Sequence, residues 1–280
     1  IRSDFHNMYG TFFTPRLQVK YDFSENTLIR ASAGKGFRSA NILAENVSLM
    51  SSSREFIIDE ELKMEEGLNY GMNFITEFEI DEIPFTFNAD FYHTRFINQV
   101  IVDLDRDPGS VYFYNLDGES YSNAFQTDIV FTPFDNFDIT TAYRFNDVKM
   151  TFNGELMQKP MVSRHKGFLN LSYAMLDAGW NFDYTIQYNG GGRLPDTDSN
   201  PERYQLPDRF DPFIIMMMQI TKKFENFEIY AGSENLTNHR QANPILGADD
   251  PFGQYFDSSM IWAPVFGRVI YLGVRVDMDY

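Results

Sequence analysis

Apolar and polar residues alternate along nearly the whole chain, and this feature most narrows what the sequence can become. The clearest stretch is the last one, Phe266 to Tyr280. Phe266, Ile270, Leu272, Val274, Val276, Met278 and Tyr280 share one parity, broken only by Arg268. Gly267, Tyr271, Gly273, Arg275, Asp277 and Asp279 hold the other, with Val269 as its one aliphatic residue. Successive strand side chains point to opposite faces, so the segment predicts a strand with one greasy and one wet side. A soluble antiparallel sheet can contain one such strand. Repetition makes it informative.

Leu17, Val19, Tyr21 and Phe23 alternate with polar residues, and after Ser24-Glu25-Asn26-Thr27 the pattern resumes at Ile29, Ala31 and Ala33. A long irregular stretch is expected from Phe37 to about Met64. Leu68, Tyr70, Met72, Phe74, Phe78 and Ile80 then share a face, turn at Asp81-Glu82-Ile83-Pro84, and lead into Phe85, Phe87, Ala89 and Phe91. Phe125, Ile129 and Phe131 turn through Thr132–Asn136 into Phe137, Ile139, Tyr143 and Phe145. A polar loop is expected over roughly Asn146–Lys166. Leu169, Leu171 and Tyr173 then precede Trp180, Phe182, Tyr184, Ile186 and Tyr188. Phe213–Ile220 is apolar on both faces, leaving its register open, and Phe227, Ile229 and Ala231 complete the series before the last strand.

The turns alternate between short and long, and aromatics such as Tyr21, Phe78, Phe85, Phe131, Phe137, Tyr173, Trp180 and Phe227 gather beside the short ones. Short turns on one side, long loops on the other and an aromatic girdle are the marks of an outer-membrane barrel with periplasmic turns. Composition agrees. The chain has 28 Phe and 16 Tyr, yet its longest apolar run, Phe213–Met218, has six residues, whereas a transmembrane helix needs about 20. A net charge of −17 argues against nucleic acid, and the absence of cysteine removes disulfides and thiol chemistry. Lys35, Arg95 and Arg268 are the basic residues expected on outward faces, each toward a long loop, where it can snorkel.

About eleven strands are expected, an odd number that cannot close as an antiparallel barrel, and an open edge in hydrocarbon leaves backbone groups unpaired. Twice that number gives the 22 strands of the plugged transporters. The fold expected is therefore all-β, an antiparallel transmembrane β-barrel portion of about 11 strands from a 22-stranded barrel, with residues 1–280 as one domain. The chain starts Ile1-Arg2-Ser3 without an initiator Met, which reads as a piece of a longer precursor.

Several segments carry a family likeness. Thr14-Pro15-Arg16-Leu17 opens a strand; Gly34-Lys35-Gly36-Phe37-Arg38-Ser39-Ala40-Asn41 is similar to "GxGFR(A/S)P"; Glu65-Glu66-Gly67-Leu68-Asn69-Tyr70-Gly71 is like "PExxxNxExG". Tyr114-Asn115 with Tyr121–Gln126, and Glu234-Asn235-Leu236-Thr237-Asn238 like "xNLxN", follow in order. In this order and spacing the chain resembles the C-terminal half of the barrel of TonB-dependent outer-membrane receptors. Ala40 and Met64 stand where the family usually has Pro, and Tyr280 where Phe is commoner. The resemblance implies an outer-membrane receptor, not an enzyme, that captures a scarce large solute (siderophore, haem, cobalamin or oligosaccharide) for TonB-driven uptake. It also implies several partners: outer-membrane lipid, the barrel-assembly machinery reading the terminal strand, an N-terminal barrel half with its plug, and the TonB complex acting on that plug. No cofactor is implied.

Phe37, Arg38, Tyr255, Phe256 and Trp262 are expected in loops, where they either meet a ligand or pack against each other. Asn69, Asn73, Asp90, Gln126, Asp128, Arg144, Asp183, Gln187 and Arg275 are expected to line a wet lumen. Asp249-Asp250-Pro251 with Asp257 suits either calcium or a solvated acidic loop. Gly190-Gly191-Gly192 opens no helix and reads as a flexible link. The four histidines, His6, His93, His165 and His239, are dispersed, with His93 on an outward register, and no Ser/His pair has hydrolase spacing. Two other readings fit the alternation: a self-contained barrel of about twelve strands acting as a passive pore, and a soluble all-β carbohydrate-binding domain.

Overall fold

The computed structural model describes residues 2–276. Eleven strands run antiparallel in chain order: β1 Arg16–Ser24, β2 Thr27–Arg38, β3 Glu65–Ile80, β4 Ile83–Asn98, β5 Ser120–Phe134, β6 Phe137–Phe152, β7 His165–Met175, β8 Trp180–Asn189, β9 Phe213–Lys223, β10 Phe227–Glu234 and β11 Val269–Val276. Each pairs with its chain neighbours, and a short strand, Glu155–Gln158, folds back on the end of β6 as a twelfth. The sheet is open, with β1 and β11 at its edges. It is a partial barrel. A self-contained barrel of about twelve strands is not what it forms, because the twelfth strand is a side branch and the edges do not meet.

Register fixes which residues share a face, since directly paired residues point the same way. One row runs Tyr21, Ile29, Phe74, Ala89, Thr127, Tyr143, Gly167, Tyr188, Ile214 across nine strands. The adjacent row on the opposite face runs Lys20, Arg30, Asn73, Asp90, Gln126, Arg144, Lys166, Asn189. The register of β9 is settled by Tyr188↔Ile214 and Tyr184↔Met218: Ile214, Met216, Met218 and Ile220 face outward, while Phe213, Ile215 and Met217 face inward. Among the described residues no second layer covers the apolar face. Leu17 is 65% exposed, Tyr21 60% and Leu272 75%.

Short turns close the strands at one end. Asp81 and Glu82 sit at φ 50° and 65°, the paired left-handed geometry whose twist suits a two-residue hairpin. The aromatic girdle forms at this end: Phe85 stacks on Phe78 at 5.4 Å and on Phe131 at 4.9 Å, Phe134 on Phe137 at 4.8 Å, and Phe224 on Phe227 at 4.6 Å.

Several expected boundaries move. β2 continues to Arg38 and β3 begins at Glu65, so the segment between them spans residues 39–64 and contains a helical turn, Ile42–Glu45, and a strand, Glu55–Ile58. The expected polar loop after Phe145 is largely strand, because β6 reaches Phe152 and β7 starts at His165. Beyond Phe145 the alternation reverses. Asp147 and Lys149 keep the outward register, while Met150 and Phe152 turn inward and are buried. There the side chains pack against loops, and the outward-apolar pattern no longer applies.

At the C-terminus, Ile270, Leu272, Val274 and Val276 face outward from β11, while Phe266 and Arg268 precede the strand in the loop. Met278 and Tyr280 lie outside the described residues. Arg268 donates to the Leu236 carbonyl, and Lys35 pairs with Glu66 at 2.6 Å. Lys222 is a further outward basic residue, at the short-turn end, 5.2 Å above the Trp180 ring.

Candidate functional site

Fully buried hydrophobic residues lie at the long-loop end. One cluster joins Leu49, Val100, Leu104, Val111, Phe113 and Met260, and a second joins Ile101, Met150 and Phe152. These come from three loops and the end of β6. The framework is a small sheet in which Glu55–Ile58 runs parallel to Ser110–Asn115, and Ser110–Asn115 runs antiparallel to Val100–Asp103. Buried polar contacts tie the loops together. Arg54 donates to Asp257 at 2.8 Å and to the Ser110 carbonyl at 3.2 Å, and Asp257 also accepts from the amide and hydroxyl of Ser259. Arg193 grips both oxygens of Asp105, at 2.6 and 2.9 Å. Burial and the hydrogen bond to buried Asp103 raise the pKa of the Tyr114 phenol, so this group stays neutral well into alkaline solution.

Three cavities open in this roofed mouth. The largest, about 710 Å³, is lined by Arg203, Arg209, Arg240, Tyr204, Phe210 and Trp262 among others. A second of about 480 Å³ lies between Arg38, Leu49, Glu65, Val100, Phe152 and Met161. The third, about 440 Å³, is acidic, with Asp103, Asp105, Asp196, Asp198 and Asp208 around Arg193.

The residues expected to meet a ligand separate. Trp262 forms a wall of the largest cavity, stacked on Phe210 at 5.7 Å. Arg38 reaches the second cavity but is held by Glu65 at 2.5 Å and Glu45 at 3.2 Å. Phe37 is the penultimate residue of β2, on the outward register and 4.8 Å from the Phe12 ring. Tyr255 stacks on Tyr204 at 4.6 Å, and the Phe256 carbonyl accepts from the Ser53 amide. Phe37, Tyr255 and Trp262 thus each lie against another ring, and of the four aromatics Trp262 lines one of these three cavities. Sequence reasoning missed Arg203, Arg209 and Arg240; their concentration in two loops of an acidic chain was the available signal.

The nine wall residues share the inward register, and many are cross-linked. Asn69 donates to Thr94 at 2.8 Å, Asn73 to Asn88 and Asp90 at 2.8 and 2.9 Å, and Asn88 to Asp128 at 3.0 Å. Ser172 donates to Asp183, Arg275 pairs with Glu228, and Gln126, Arg144 and Gln187 border one shallow cleft. Asp249 and Asp250 are exposed, as in a solvated acidic loop, whereas Asp257 is buried against Arg54; among the described residues no group of three or more acidic or histidine side chains could hold a metal. One expectation needs correction. Gly190-Gly191-Gly192 is tightly packed: a Cβ at Gly191 would sit 2.5 Å from the Phe210 carbonyl, and one at Gly192 2.6 Å from that of Val162. The histidines stay apart, with His93 bonded to Asn123 and His165 to Tyr143.

Residues 1–236 match the family described as TonB dependent receptor-like, beta-barrel. No curated protein matches the chain. Among solved structures, the ferric enterobactin receptor of Pseudomonas aeruginosa is similar at TM-score 0.65 and 14% identity, over 97% of this chain and 41% of that one. The ferric-catecholate import receptor of E. coli is similar at TM-score 0.65 and 12% identity, over 95% and 35%. An iron transporter of Neisseria meningitidis gives 0.63 and 11%, over 95% and 38%. The chain thus spans about two fifths of the structures it matches.

Proposed function

The chain belongs to the TonB-dependent receptor β-barrel family, and from that premise we propose that it is the C-terminal part of the barrel of an outer-membrane active-transport receptor in a Gram-negative bacterium. The observation that carries this reading is the division of the molecule into two solvents' worth of surface. Its strands expose apolar side chains outward, while its buried core lies in the loops at one end. Hydrocarbon satisfies the first and water the second.

Residues 1–280 act as one barrel domain, whose open edges at β1 and β11 pair with the N-terminal half of the barrel. The plug sits against the inward wall of Asn69, Asn73, Asp90, Gln126, Asp128, Arg144, Asp183, Gln187 and Arg275. The TonB complex acts on that plug. The assembly machinery reads the terminal strand, including Ile270, Leu272, Val274 and Val276. The solute is large and scarce, of the siderophore, haem, cobalamin or oligosaccharide class, and is captured non-covalently in the roofed mouth, where Trp262 and Arg38 line cavities.

Deleting the gene and following growth and solute uptake under limitation for iron, cobalamin or glycan tests the reading. Uptake of one class should fall to the level of a strain lacking TonB, with no further loss when both are removed. Uptake indifferent to TonB, or a protein that purifies as a monomer without detergent, would refute it.

A further inference from the structure

We infer that the captured solute is polyanionic and is gripped by Arg203, Arg209 and Arg240; the inference rests on the receptor reading above. These residues line one cavity of about 710 Å³ in a chain with 40 acidic and 23 basic residues. Four other arginines of the mouth are neutralised: Arg38 by Glu65 and Glu45, Arg54 by Asp257, Arg106 by Asp59, Arg193 by Asp105. Arg203, Arg209 and Arg240 are not. Asp211 and Asp249 line the same cavity, but among the described residues no carboxylate comes within 4.0 Å of any of the three guanidinium groups.

Each of the three is nonetheless placed by its surroundings. The Arg203 guanidinium lies 4.4 Å over the Tyr204 ring, which is itself stacked on Tyr255. Arg209 belongs to a two-residue strand paired with Gly192–Arg193, where Arg193 is locked on Asp105. Arg240 precedes Gln241, a buried residue whose side chain donates to the Met260 carbonyl at 2.7 Å and accepts from the Trp262 and Ala263 amides. Three cations brought to one cavity repel each other unless an anion joins them. Guanidinium forks match carboxylate and phosphate oxygens in bidentate fashion, so the complementary ligand carries several such groups. The stacked Phe210–Trp262 pair adds a flat apolar wall for the body of that ligand. A neutral oligosaccharide, by contrast, calls for a mixture of acceptors and donors, and guanidinium supplies only donors.

The test is calorimetric titration of the full receptor in detergent micelles with citrate, inorganic pyrophosphate and neutral maltohexaose. The polyanions should bind, more weakly as salt rises, and should change the fluorescence of Trp262, an effect lost in Trp262→Phe. Each of Arg203→Gln, Arg209→Gln and Arg240→Gln should weaken pyrophosphate binding by about tenfold or more, in line with a charge-assisted hydrogen bond, while the Arg→Lys versions weaken it less. Because all three side chains are exposed, heat-shifted gel mobility should stay that of the wild type, which verifies folding. Unchanged affinity in the triple Gln variant overturns the inference, and so does binding of maltohexaose with no binding of either polyanion. TonB-dependent uptake that survives such a result leaves the receptor reading standing, whereas uptake indifferent to TonB removes that reading itself.

Discussion

Replacing Arg54 with alanine should loosen the loop roof and leave the strands intact. The Arg54 and Asp257 side chains are only 3% and 6% exposed, so solvent screening is slight. Arg54→Ala removes the 2.8 Å bond to Asp257 and the donor to the Ser110 carbonyl, leaving a buried carboxylate with only the Ser259 amide and hydroxyl. Breaking one side of a buried pair costs roughly 3–5 kcal/mol. At about 1.4 kcal/mol per tenfold, that is a rise of roughly two to three and a half orders of magnitude in the opening equilibrium. The Ser53 amide, bonded to the Phe256 carbonyl at 2.8 Å, is a direct reporter of the contact between the two loops. Amide hydrogen exchange in detergent should therefore accelerate in residues 39–64 and 235–268 by that factor, up to the ceiling set by local opening, with the β3–β7 amides unchanged. The double variant Arg54→Met/Asp257→Leu should recover much of the protection, because an apolar pair of similar volume replaces the ions. Unchanged exchange in Arg54→Ala, or a double variant as fast as the single one, would refute the reasoning.

Other outcomes follow from the same geometry. Phe74→Arg places a guanidinium on the outward face of β3 well away from the turn and should cost about 2–4 kcal/mol, whereas Phe78→Arg, beside the short turn, should cost about 0–1; folding yield into lipid vesicles against urea separates the two. Gly191→Ala drives a Cβ toward the Phe210 carbonyl at 2.5 Å, a backbone atom that must shift, so limited proteolysis within residues 190–212 should quicken, consistent with about 1–3 kcal/mol of strain. The raised Tyr114 pKa means the folded roof holds its phenol proton more tightly than the unfolded chain. That stabilisation is complete below the unfolded value near 10 and is lost as pH rises through the folded one. Roof protection should fall in strong alkali, and Tyr114→Phe should flatten that dependence.

Where one face of the sheet is apolar from strand to strand, the sequence was easy to read. Period-two alternation gave the strands, their outward faces and the girdle, because every second side chain of β3, β5 or β8 answers to one solvent. β9 resisted because Phe213, Ile215 and Met217 are apolar on the inward side as well, with Phe213 stacked on His239 at 4.9 Å. The end of β6 was misjudged for a related reason: past Phe145 the neighbours of the chain are loops, and Met150 and Phe152 turn the opposite way. The site was the least accessible to such reasoning. Arg54 and Asp257 stand 203 residues apart, and no local period announces their meeting. Gly190-Gly191-Gly192 looked like slack, yet the carbonyls of His165, Phe210 and Val162 crowd it.

The roof's hydrophobic clusters draw on residues as distant as Leu49 and Met260, which orders biogenesis in time. In the membrane setting proposed above, each contributing segment must cross the bilayer on its own hairpin before any of them can meet, so the cap condenses last. A hairpin inserted out of register would leave Val111, Phe113 or Met260 without partners on the far side. The cap would then stay open to surface proteases, and its closure would certify that the strands beneath it had docked correctly.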